Sequence, residues 1–212
     1  MKNKPIGAIV LSLVLIAAGL VVLLTGTGPK LAGGAAAIDY TPLFLSILAV
    51  VVLSFVFGAV RYSLPGGVAL AGTALHDQLL TLALTALVGI VVPQSYLMPV
   101  LVIASAVFTY ALSLPVLRKT LELRASGSTR QLTHEQAAKQ AVADTRALRL
   151  RTLLLSLLLI VAAAVGGGMK LAAWLVPVLL GLLAACWGAT QVVATLWTHA
   201  MYHRGAARKA DR

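Results

Sequence analysis

Six apolar runs, each long enough to cross a bilayer as a helix, constrain this chain more than any other feature it has. They lie at 5–24, 42–60, 66–91, 97–117, 152–168 and 171–197, and a hydrocarbon core of about 30 Å takes about 20 helical residues. In lipid every main-chain N–H and C=O must find a partner within the protein, which leaves helices or closed barrels. The runs are apolar on all faces and do not alternate, so helices are favoured over a barrel. The expected fold is all-α: residues 1–212 form a single polytopic domain of six transmembrane helices. A mean hydropathy of +0.96, with 60% hydrophobic and 11% charged residues, agrees with that reading.

The charges then orient the bundle. If the runs alternate across the membrane, all 17 lysines and arginines except Lys30 and Lys170 fall on one side. By the positive-inside rule that side is cytoplasmic, with both termini, and the expected location is the cell (plasma) membrane. The formal charge of +11 is therefore a topology signal, and no motif supports a nucleic-acid role. The apolar stretch Ile6 to Leu24 exceeds the roughly 7–15 residues of a cleaved signal, so it is read as a retained first helix. Cys186, the only cysteine, lies inside the sixth run, which excludes an intrachain disulfide and suits a small packing residue.

Between the runs, Gly26 to Thr41 is a Gly/Ala/Pro linker too small for a domain. The inner loop at 118–151 is broken by Ser126-Gly127-Ser128. Thr133 with Gln136 fits a capping box, so a helix is expected to start there and run on toward the fifth span. Its polar face carries Lys139, Arg146 and Arg149, which suits contact with the anionic headgroups of the bilayer.

Inside the membrane the polar residues recur at helical spacing. Thr73, Asp77 and Thr81 step by four in the third run, and Ser105, Thr109 and Ser113 do so in the fourth, so two narrow stripes are able to face each other. In the sixth run Ala184 and Gly188 form a small-residue packing seam, beside which Gln191 needs a hydrogen-bond partner.

Asp77 is the one acidic residue within a span, where a carboxylate costs about 2.5 kcal/mol or more unless neutralised. Two readings stay open. His76, Asp77, Thr73, Thr81 and Thr109 form a proton-relay site, or the same residues tie helices together through buried hydrogen bonds. Adjacent helix positions point about 100° apart, so His76 and Asp77 need not touch. His199 and His203 have metal-capable i, i+4 spacing, but no Cys, Asp or Glu nearby completes a site, and an interfacial pair is expected. No nucleophile elbow, Walker loop or dinucleotide fingerprint is present, so neither an enzyme nor a cofactor is expected. Gly166-Gly167-Gly168 is read as a turn between the last two runs.

Ala74-Leu75-His76-Asp77, with Leu80-Thr81-Leu82 and an apolar run to Gly89, resembles the third span of SecF, the Sec translocase accessory subunit. Arg61 after the second run, the inner stretch from Glu135 into the fifth run, and Gly188-Ala189-Thr190-Gln191 in the last are similar to that family's corresponding segments. The departures are specific. Ala37-Ile38-Asp39-Tyr40-Thr41 resembles the motif that precedes the family's extracytoplasmic domain, yet the second run follows at once. Where the family's fourth span has an Asn-Asp pair this chain has Phe108-Thr109, and where it has Asp-Arg this chain has Pro115-Val116.

The resemblance implies a reduced SecF/RND-like half bundle. It also implies a SecD-like membrane partner and a place beside the Sec translocase channel, supporting protein export or membrane insertion as a scaffold. The alternatives are a small proton-coupled transporter of the RND superfamily that uses Asp77, and a purely structural membrane protein.

Overall fold

A computed structural model describes residues 4–25, 41–88, 97–125 and 132–210, without the side chains of 4–6, 97, 98, 168–174 and 204–210. The linker at 26–40 with its Ala37-Ile38-Asp39-Tyr40 stretch, the end of the run at 66–91 and the Ser126-Gly127-Ser128 break lie outside the described residues. All described residues are helical except Leu132, Thr133, Thr145 and, within α2, Tyr62 and Ser63. In chain order the elements are α1 (Lys4–Thr25), α2 (Thr41–Val88), α3 (Leu97–Ala125), α4 (His134–Asp144), α5 (Arg146–Trp187), a π-helical turn (Gly188–Val192) and α6 (Val193–Ala210).

α2 covers two of the expected runs. A straight helix of its 48 residues would measure roughly 72 Å, more than twice a hydrocarbon core. It instead reverses at Tyr62 and Ser63, whose backbone leaves the helical region. The two arms, 41–61 and 64–88, then pack against each other. A Cβ on Gly58 would lie 2.8 Å from the Gly67 Cα, and one on Gly67 would lie 2.8 Å from the Phe55 carbonyl oxygen, so only glycines allow this approach. Leu43, Ile47 and Val50 of the first arm share a core with Ala74 and Leu82 of the second and with Val102 and Ala106 of α3.

Ser63 holds the reversal at φ 69° and ψ 169°, a region that suits only glycine. Ser63→Gly is expected to stabilise the protein by about 1 kcal/mol. A thermal unfolding midpoint that does not rise would show that the turn is unstrained.

α5 also folds back. Arg149 lies within electrostatic range of Cys186, whereas in a straight helix those positions would stand roughly 55 Å apart. Leu153 and Ile160 of its first arm, Arg146–Gly167, pack on a core of Leu112, Leu182, Ala185 and Ala189. The second stretch, Leu175–His203, continues through the π-turn into α6. Gly166 and Gly167, expected in the turn, lie in helical backbone.

Among the described residues five helices are long and apolar enough to cross a membrane, and the reversal of α2 makes six such segments. The outer faces are apolar: on α5, Leu154, Leu158 and Val165 are 62%, 64% and 80% exposed. A soluble monomer rarely leaves so much contiguous apolar area uncovered, whereas a membrane protein does so as a rule.

Two helices extend beyond their apolar runs: α3 continues past 117 to Ala125, and α5 begins at Arg146, ahead of 152. The capping box forms as expected. The Gln136 N–H donates to Thr133 Oγ1 at 3.2 Å, and the Thr133 N–H donates to Gln136 Oε1 at 2.9 Å. The helix it starts does not run on into the fifth span, because the chain breaks at Thr145. α4 buries Ala137, Ala138 and Ala141 against Leu70, Val116, Leu117 and Trp197. Arg149, assigned to an exposed polar face, is instead buried, and its Nη2 donates to the Val142 carbonyl at 2.5 Å.

His134 opens α4 with its ring edge-on to Trp197 and Tyr202, at centroid distances of 5.9 and 5.6 Å. Burial there, and secondarily Arg124, hold its pKa below the usual 6.5. The unfolded chain therefore takes up this proton more readily, so stability falls as pH drops through about 6.5 and is regained above it. The protection of the α4 amides, taken relative to the intrinsic exchange rate at each pH, should fall at acidic pH, and His134→Gln should flatten that dependence. A pH-independent α4 in the wild type would refute the assignment.

Candidate functional site

The polar groups of three helices and the π-turn meet near the middle of the bundle. Asp77 is 0% and His76 9% exposed. Although neighbours on a helix diverge, the imidazole swings back along α2, and His76 Nδ1 lies 3.0 Å from Asp77 Oδ1. The other ring nitrogen, Nε2, reaches Ser12 Oγ of α1 at 2.9 Å. From α3, the Thr109 hydroxyl donates to Asp77 Oδ2 at 2.8 Å. The two expected polar stripes face each other at this bond.

Not every residue of the stripes joins. The Thr81 hydroxyl donates to the main-chain oxygen of Asp77 at 2.6 Å, and that of Thr73 to Ala69 at 2.7 Å, so both satisfy their own helix and leave the carboxylate alone. Ser105 donates likewise to Val102 at 3.1 Å. Ser113, although buried, has no partner for its hydroxyl.

The floor of the site is backbone. A Cβ on Gly188 would lie 2.1 Å from Asp77 Oδ1 and 2.5 Å from Oδ2, so the carboxyl rests on a bare Cα. Gly188 opens the π-turn, where the Val193 N–H reaches back to the Gly188 carbonyl. Such a turn holds one residue too many for α-helical pairing and frequently marks functional positions. The Thr190 hydroxyl satisfies the loosened carbonyls of Cys186 and Trp187 at 3.0 and 2.9 Å. Ala184 is buried in a core with Ile16 and Leu80. At Gly188 the seam admits a carboxyl group where a second helix backbone was expected. Gln191 lies half-buried in the π-turn, its carbonyl accepting from Thr195.

Hydrogen counting limits what the site can hold. The Ser12 hydroxyl donates to the Ile9 carbonyl at 2.9 Å, so it accepts from His76 Nε2–H. In a neutral ring Nδ1 is then an acceptor, and a single proton lies between it and Asp77 Oδ1. The pair is carboxylic acid with imidazole, or carboxylate with imidazolium, and is neutral in sum either way. That neutrality is what permits burial. If the proton leaves, the Ser12 hydroxyl can turn toward Nε2 while Nδ1–H donates to the carboxylate. One proton is thus bound or released through a hydroxyl rotation and a tautomer change.

Ser12 and Gly188 as partners of this pair were not foreseen, and neither was the burial of Gln78 beside it. Ser12 left a signal, being the only hydroxyl residue in the first run. Among the described residues no three His, Cys, Asp or Glu side chains gather as a metal site. His199 and His203 sit exposed on α6 with Nε2 atoms 3.0 Å apart. No protein family, curated protein or solved structure matches the chain.

Proposed function

We propose that the protein is an integral membrane subunit of SecF type, with both termini in the cytoplasm, that pairs in the plasma membrane with a SecD-like protein and supports protein export or insertion. The observation that carries this reading is a contact. Asp77, in the stretch resembling the third SecF span, rests on Gly188, which opens the stretch resembling the last. Two segments likened to one family on independent sequence grounds converge on a single buried point. Thr109, at the position where the family has its fourth-span acid, donates to the acid that remains. In this reading the bundle is a scaffold.

The test is to purify the tagged full-length chain in mild detergent and identify its companions. A SecD-like or translocase component is expected. Its absence under conditions that preserve known membrane complexes would end the proposal.

The hydrogen-bond chain from Ser12 through His76 and Asp77 to Thr109 favours a second reading, a small proton-coupled transporter. Here Asp77→Asn decides. Loss of proton-driven flux with the fold intact supports transport, and unchanged partner recovery with no flux to lose supports the scaffold.

A further inference from the structure

Gln78 follows the His76–Asp77 pair and is only 1% exposed, yet neither Oε1 nor Nε2 of its amide has a protein partner. An amide buried this way is expensive unless something satisfies it. Beside it, between the second arm of α2 and α3, is a cavity lined also by Thr81, Thr85 and Ser105, with Leu82, Leu101 and Val102. Its volume, about 10 Å³, suits one water molecule.

The chemistry of the lining selects the guest. The hydroxyl hydrogens of Thr81, Thr85 and Ser105 are committed to main-chain carbonyls of their own helices, at 2.6, 2.7 and 3.1 Å. These groups therefore have only lone pairs to offer, while the Gln78 amide offers one acceptor and an NH₂ donor. A guest must give two hydrogens and take one, as water does. A metal cation would need more oxygens and a negative charge, and the one carboxylate nearby, Asp77, is engaged with His76 and Thr109.

This cavity lies on one side of the pair. It lies toward Val88 on α2 and toward Leu101 on α3, a turn or more beyond Asp77 and Thr109. On the opposite side, Ala69, Leu70, Val116, Leu117, Val193 and Trp197 close the bundle as a single apolar core. From the elements packed on it the pair meets Ser12 of α1, Thr109 of α3 and Gly188 of the π-turn, and no other charged or titratable side chain among the described residues.

We propose that this cavity binds one water molecule, exchanged through the Val88 end of the bundle, and that this end is the route by which the His76–Asp77 proton is renewed. The inference goes beyond the assignment to an export complex and does not depend on it, because recovery of a partner says nothing about hydration at Gln78.

The experiment uses the full chain in lipid nanodiscs, ¹⁵N-labelled at glutamine and histidine, with the His76 signals assigned by their loss in His76→Gln. A magnetisation-transfer signal from water to the Gln78 side-chain amide is expected. In Gln78→Leu, exchange of the His76 ring proton with deuterated solvent should slow at least about tenfold, because an apolar side chain then closes the route. Thr85→Val, in the lining of the cavity, should slow it in the same direction and carries the test if Gln78→Leu fails to fold. Absence of the water signal in a folded protein, or exchange at His76 that ignores a folded variant of this pair, would overturn the proposal.

Discussion

Gly188→Ala is expected to destabilise the protein by about 3 kcal/mol. The added carbon would stand 2.1 Å from Asp77 Oδ1, well inside contact distance. Neither side yields easily, because the carboxyl is fixed by His76 and Thr109, and Gly188 is fixed by the helix on both sides of it. Overpacking of this kind costs about 1–3 kcal/mol, and the hydrogen bonds lost when the carboxyl moves add a similar amount. Thermal or denaturant unfolding in detergent measures the loss, and the His76 ring resonances should shift with it. A change of only about 0.5 kcal/mol would place the variant among ordinary surface substitutions and mean that Asp77 does not rest on Gly188.

Asp77 itself should respond very differently to two replacements. Asp77→Ala leaves the buried Thr109 hydroxyl and His76 Nδ1 without protein partners and opens a void, a loss of about 3–5 kcal/mol. Asp77→Asn keeps the site hydrogen for hydrogen. Its amide oxygen accepts from Thr109, and its NH₂ donates to Nδ1 as a protonated carboxyl does. We expect Asn to be tolerated within about 1 kcal/mol. If Asn proves as harmful as Ala, the pair exists as imidazolium and carboxylate, and the charge itself holds the helices. The comparison also separates stability from function, since Asn preserves the bonds while removing the transferable proton.

The helical plan was legible because the apolar runs are long and uninterrupted. Even the tight reversal of α2 falls in the gap between two runs, where Tyr62 and Ser63 sit. Thr133 and Gln136 announced the start of α4 for a local reason, the capping box lying within four consecutive residues. The site was only partly legible. Asp77 and Thr109 stood out as polar residues at helical spacing, but the His76–Asp77 contact depends on a side-chain rotation that the spacing argument disfavours. Gly188 carried a packing signal that does not say what will be packed there. Gln78 gave no signal, because its burial follows from how α2 and α3 meet. The apolar runs mark the stretches of α3 and α5 suited to lipid but not the helix ends, because both helices continue into charged sequence.

The π-turn couples distant parts of the molecule. One surplus residue in a helix rotates everything after it by about 100°, so the bearing of Trp197 and Tyr202 toward His134 is set where the carboxyl meets Gly188. Were that turn to relax into regular α-helix, the terminal segment would swivel like a key and carry α4 out of its seat. Occupancy at the centre of the bundle and docking at its edge would then be two readings of one rotation.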